Sequence, residues 1–157
     1  MALAPGTIAP DFALFDGDKN KVSLSAQRGK NVVLAFFPAA FTGVCKAELC
    51  SFQSAIQRLN SINATVLAVA ADGPFANKAF ADENGLTFPV LSDYTRETIE
   101  AYDVVLQDFA GLPGYTASQR ATFVIDAEGI IRHVDVTPNP GVEPNYDEIY
   151  AAVDALK

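Results

Sequence analysis

The stretch from Asn31 to Cys50 constrains this chain more than any other. Val32-Val33-Leu34-Ala35-Phe36-Phe37 is an unbroken apolar run, which reads as a strand buried on both faces. Beyond Pro38, residues Leu49, Phe52, Ile56 and Leu59 recur at spacings of three, four and three, the pattern of one helix face, and predict a helix to about Asn60. Cys45 therefore stands where a strand and a short loop pass into a helix N-terminus. Backbone N–H groups are unpaired there, and the helix dipole presents partial positive charge. Such a place favours the thiolate, the reactive form of cysteine. Cysteine is also commonly buried as a small inert hydrophobe, so position alone leaves both readings open.

The rest of the chain alternates strands with helices. Residues 8–14 read as a lead-in loop and short strand, 16–20 as a hairpin tip rich in turn formers, and 22–24 as the returning strand. A helical turn closes at Gly29. Residues 65–70 form a second buried strand. Pro74 opens a helix that stops near Asn84-Gly85. A short strand at 88–91 and a helix at 94–102, with Thr95 as its cap, come next. Residues 103–119 have no clean period and read as a loop, with local pairing at 104–106. Strands at 121–125 and 130–136 flank a turn, 137–141 is a break, and a last helix covers 146–156 with Asn145 as cap. No repeat or linker interrupts 1–157, so one domain is expected. The element order implies an α/β fold, a mixed central sheet with helices on both faces.

Composition bounds the function. The 157 residues are 50% hydrophobic, ample for a core without a metal or disulfide staple. A net charge of −8 argues against nucleic acid as a partner. No run of 18 apolar residues occurs, and Met1-Ala2-Leu3-Ala4-Pro5 lacks the features of a signal peptide, so no membrane association is read and the cytoplasm is the expected compartment. Two cysteines in such a chain suggest redox chemistry rather than a scaffold. The single histidine, His133, reads as an outward strand residue, and no metal-ligand set or cofactor motif is read.

The pattern Pro38-x-x-x-Thr42-x-x-Cys45 resembles the active-site motif of the peroxiredoxin family (the AhpC/TSA superfamily). Arg120, 75 positions after Cys45 at a strand start, looks like the family's late arginine. Glu48, the stretch Phe88-Pro89-Val90-Leu91-Ser92-Asp93 and the opening Gly6-x-x-Ala9-Pro10-Asp11-Phe12 are also similar. The resemblance implies a thioredoxin-like fold with an N-terminal β-hairpin extension. It implies a peroxidase in which Cys45 attacks a hydroperoxide, Thr42 and Arg120 bind the peroxide and the sulfur, and Pro38 shields the site. It also implies a thioredoxin- or glutaredoxin-like protein as reductant. The residue chemistry makes these roles sensible: arginine is always charged and offers a fork of donors, a threonine hydroxyl can accept and donate, and proline has no N–H.

Two residues stay open at this level. Glu48 would oppose a thiolate one turn away. Either it binds and aims Arg120, or it is a first-turn acid favoured by the helix dipole. The spacing of Cys50 resembles the bacterioferritin comigratory protein (PrxQ) branch, whereas Pro38-Ala39-Ala40-Phe41-Thr42-Gly43 looks more like the AhpE-type branch. An intact helix holds Cα atoms five residues apart at about 8.6 Å, beyond the roughly 7 Å a disulfide tolerates. Cys50 is thus either a resolving thiol that requires the helix to unwind, or a core thiol, with an external thiol resolving Cys45. A disulfide reductase is the competing enzyme class, but its usual motif is C-x-x-C and this chain has C-x-x-x-x-C; a redox-regulated scaffold is a third class. The resemblance also implies a homodimer through the loops around the helix start, where Phe41, Phe109, Leu112 and Tyr115 either offer apolar surface for it or simply fold over the site.

Overall fold

The computed structural model describes residues 2–156. Seven strands form one sheet in the order β2-β1-β5-β4-β3-β8-β9. In chain order these are β1 (Ala13–Phe15), β2 (Lys21–Ser23), β3 (Asn31–Phe36), β4 (Ala64–Ala70), β5 (Val90–Ser92), β8 (Ala121–Ile125) and β9 (Ile131–Val136). Strands β3, β4 and β5 run parallel, while β8, β9 and the β1–β2 hairpin run antiparallel to their neighbours. A separate pair, β6 (Val105–Leu106) and β7 (Ala117–Ser118), folds the 103–119 loop back on itself. This is the mixed sheet with an N-terminal hairpin that the sequence predicts.

Side chains alternate across β3 into two core layers. Val33, Ala35 and Phe37 pack with Cys45, Leu49 and Phe52 of α1 (Gly43–Ser54), Phe80 of α3 (Pro74–Glu83), and Ile149 and Val153 of α5 (Tyr146–Asp154). Leu34 and Phe36 face the other way, onto Phe12, Leu24, Tyr102, Phe123 and Ile99 of α4 (Glu97–Ala101). Phe36 meets Tyr102 and Phe123 with ring centroids 5.2 and 5.8 Å apart. Such pairs add about 0.5–1.5 kcal/mol to the burial itself.

Two predicted helices differ from the structure. The helix after Cys45 is interrupted at Ala55 (φ −92°, ψ 1°), so α1 gives way to a short α2 (Ile56–Ser61) rather than running on to Asn60. The helix expected over 94–102 begins only at Glu97, because Arg96 takes a left-handed conformation (φ 66°). Thr95 is not its principal cap. The carboxylate of Asp93 accepts from the N–H groups of Ile99 (2.8 Å) and Thr98 (3.3 Å). In α5 the predicted cap is present, Asn145 Oδ1 accepting from Glu148 N–H at 3.2 Å.

Candidate active site

Strand β3 delivers the chain to Pro38, which is buried, and the loop 38–42 then turns into α1. Phe41 holds φ 64° in that turn, a strained setting for a bulky residue. It stays more than half exposed while its ring edge meets Phe80 at 5.4 Å. Asp72, just past the end of β4, fixes the loop: its Oδ2 accepts from Ala40 N–H at 2.7 Å. Sequence reasoning missed Asp72. Its position beyond the carboxyl end of a central parallel strand, where open α/β sheets gather functional groups, was the available signal.

Cys45 is the third residue of α1 and is fully buried. Thr42 is the helix N-cap, but its side chain does not cap the helix. Its hydroxyl donates to Ala39 C=O at 2.8 Å, which leaves the oxygen's lone pairs free to accept. Arg120 enters from the start of β8 and is 2% exposed. Nη1 lies 2.7 Å from Glu48 Oε2, while Nε and Nη2 donate to Pro140 C=O at 3.1 and 2.8 Å. The charge of Cys45 acts on the guanidinium alongside that of Glu48. Pro38, Thr42, Cys45, Glu48 and Arg120 thus share one region at the N-terminal end of α1. The Pro140 carbonyl carries no sequence signal beyond lying in a Pro/Gly break.

Glu48 is not a first-turn acid. It is the sixth residue of α1, facing inward and wholly buried. Burial pushes its carboxyl up to about 7, outweighing the opposing pull of Arg120. Asp135 and Glu143 nearby push in the same direction. Its second oxygen, Oε1, has no hydrogen-bond partner among the described residues. Arg120, in turn, is raised above its ordinary value, because the charges of Glu48 and Cys45 outweigh its burial, and it stays charged.

Cys50 lies one and a half turns further along α1, half-buried, with Sγ 3.9 Å from Asn84 Oδ1. Both cysteines are free thiols. A cavity of about 250 Å³ lies beside Arg120, walled by Leu106, Gln119, Thr137, Pro138, Asn139 and Pro140. In the 103–119 loop, Phe109 and Tyr115 pack on each other at 5.5 Å and are half-buried, so of the four predicted surface residues only Phe41 and Leu112 are more than half exposed. No described helix is long and apolar enough to cross a membrane.

At the start of α1 a buried thiol lies near an arginine that Glu48 anchors, an arrangement able to support thiol chemistry. Comparison with known proteins identifies the family. Residues 5–134 match the model of the AhpC/TSA family. The chain is 38% identical over 134 residues to alkyl hydroperoxide reductase E of Mycobacterium tuberculosis, covering 83% of this chain and 84% of that one. It is 33% identical over 132 residues to the chloroplastic peroxiredoxin Q of Triticum aestivum, covering 84% and 58% respectively. The peroxiredoxin-like protein of Aquifex aeolicus superposes with a TM-score of 0.88 at 28% identity, over all of this chain and 90% of that one. The chain belongs to the AhpC/TSA family and is a peroxiredoxin, a peroxidase of thioredoxin-like fold.

Proposed function

We propose that this chain reduces hydrogen peroxide and organic hydroperoxides through Cys45. The observation that carries the reading is Arg120, buried, ion-paired with Glu48 and within electrostatic reach of Cys45. The Cys45 thiolate attacks the terminal peroxide oxygen. A sulfur–oxygen bond forms, the O–O bond breaks, and the departing oxygen leaves as water or alcohol after taking a proton. Arg120 balances the thiolate and then the charge moving onto the leaving oxygen, where fixed donors act most strongly. The free lone pairs of Thr42 accept from the peroxide O–H, and Pro38 closes the site without adding an unpaired N–H.

Cys50 then attacks the sulfenic acid, releasing water and forming a Cys45–Cys50 disulfide. A thioredoxin- or glutaredoxin-like dithiol protein reduces that bridge. The cytoplasm suits such a cycle, since reduced dithiol proteins are maintained there. Phe41 and Leu112, both over half exposed, serve a homodimer contact beside the site; sedimentation showing only monomer at high concentration would remove that element. The central test compares peroxide consumption with reduction of insulin disulfides. Wild-type chain consumes peroxide and Cys45→Ser does not. Insulin reduction without peroxide consumption would instead make the chain a disulfide reductase.

A further inference from the structure

Strand β9 carries a second group of reactive side chains, separate from Cys45. Its pairing with β8 is regular until a register shift at Val124/Ile125, where His133 stands opposite Val124 and Ile131 opposite Ile125. Ile125 and Ile131 belong to the core layer of Phe36, whereas Val124 belongs to the layer of Ile149 and Val153 in α5. In a regular strand, residues 131 and 133 would share a face. The extra residue in β9 turns His133 to the α5 side instead. This is why the sequence reading of His133 as an outward strand residue does not hold: it is half-buried, and its Nε2 is buried without a hydrogen-bond partner among the described residues.

Asp135 follows on the same face, and α5 brings Glu148 against them. One ligand atom from each of His133, Asp135 and Glu148 lies within 4.8 Å of the other two. Asn145 ties the two carboxylate residues together: its N–H donates to Asp135 Oδ2 (3.1 Å) and its own Oδ1 accepts from Glu148 N–H (3.2 Å). Partners of this kind fix the orientation of metal ligands. Glu148 is exposed, so an ion can arrive from solvent.

We propose that His133, Asp135 and Glu148 bind a divalent transition metal of the zinc type, which pins the first turn of α5 to β9. One imidazole nitrogen and two carboxylates match the mixed nitrogen and oxygen preference of Zn²⁺, with three protein ligands and one open position. Ca²⁺ and Mg²⁺ prefer oxygen ligands throughout, so the imidazole argues against them. Two carboxylate charges balance the ion. The site uses no thiol and is independent of the peroxidase reading.

The experiment uses the full chain carrying Cys45→Ser and Cys50→Ser, so that no thiol competes for metal. Titration calorimetry with zinc, and absorption with cobalt, should give one ion per chain, and zinc should raise the melting temperature. His133→Gln and Glu148→Gln should each weaken binding at least about tenfold, the lower end of what even an outer ligand partner costs. Their metal-free circular dichroism should match the parent's, which separates lost binding from lost fold. The proposal is overturned by the absence of saturable binding below about 1 mM zinc, by binding that His133→Gln leaves unchanged, or by magnesium competing on equal terms.

Discussion

Nη1 of Arg120 and Oε2 of Glu48 stand 2.7 Å apart, 72 residues from each other in sequence, and both side chains are buried. The contact fastens the guanidinium to α1, while the Pro140 carbonyl holds its other edge. Arg120→Ala should therefore lower kcat/KM for peroxide by about 10²–10³-fold, the usual cost of losing one donor to developing charge. Arg120→Lys keeps the charge but loses the planar fork, and should fall between the two. Stopped-flow rates for the three proteins, with circular dichroism to confirm folding, check this order. An Arg120→Ala rate near wild type would remove Arg120 from the mechanism.

Glu48 makes stability depend on pH. Its folded-state carboxyl is raised from 4.5 to about 7 by burial. Between those values the folded chain keeps a proton that the unfolded chain has released. Stability from this group is fully present below about pH 4.5 and is lost as pH rises through about 7. The loss is roughly 3 kcal/mol at most, at 1.36 kcal/mol per unit. Glu48→Gln keeps an acceptor for Arg120 but does not titrate. Denaturation midpoints measured from pH 4.5 to 7.5 should fall in wild type relative to Glu48→Gln. Parallel curves would show that the carboxyl is ionised throughout.

Asp72 is a positioning residue for the loop rather than a group that touches peroxide. Asp72→Ala leaves the Ala40 N–H without its 2.7 Å acceptor and frees residues 38–42 to shift. The expected stability cost is about 1–3 kcal/mol, typical of a stranded polar group. The peroxide rate should drop about 10–10²-fold, since a displacement of about 1 Å at a reacting centre has that effect. Asp72→Asn can still accept from Ala40 and should restore most of the rate without restoring the charge. A purely structural role would let Asp72→Ala lose stability with kcat/KM unchanged.

The fold was legible where hydrophobic period and punctuation agree. The apolar runs that became β3 and β4, Pro74 opening α3 and Asn145 capping α5 are local signals that packing reinforces. The sequence also pointed to Cys45 at a helix start, which is a local property. What it could not resolve were consequences of distant contact. Whether Glu48 faces solvent or Arg120 depends on where β8 lies against α1. The Asp93 cap of α4 depends on the left-handed turn at Arg96. The facing of His133 depends on one bulge, because a single extra residue reverses every later side chain on a strand.

The resolving step tests how α1 is built. The helix runs unbroken from Gly43 to Ser54 through both free thiols. Five residues of intact helix hold the Cα atoms about 8.6 Å apart, and a disulfide needs them within roughly 7 Å with facing Cβ vectors. The bridge therefore requires the start of α1 to unwind. Its first turn is poorly anchored: the N-cap Thr42 spends its hydroxyl proton on Ala39 C=O and gives no side-chain cap, which forgoes about 1 kcal/mol of helix stability. The far end is held in the core by Leu49 and Phe52, the latter edge-on to Tyr146 at 5.7 Å. Unwinding should thus stop near Leu49, freeing Cys45 and releasing Cys50 from Asn84. After one equivalent of peroxide, peptide mass spectrometry should find an intramolecular Cys45–Cys50 disulfide. Circular dichroism should show a small loss of helix that a dithiol reverses. Cys50→Ser should reduce one equivalent of peroxide at an unchanged rate and then hold a sulfenic acid at Cys45. A persistent sulfenic acid at Cys45 beside a free Cys50 in the wild-type chain would rule the bridge out and assign resolution to an external thiol.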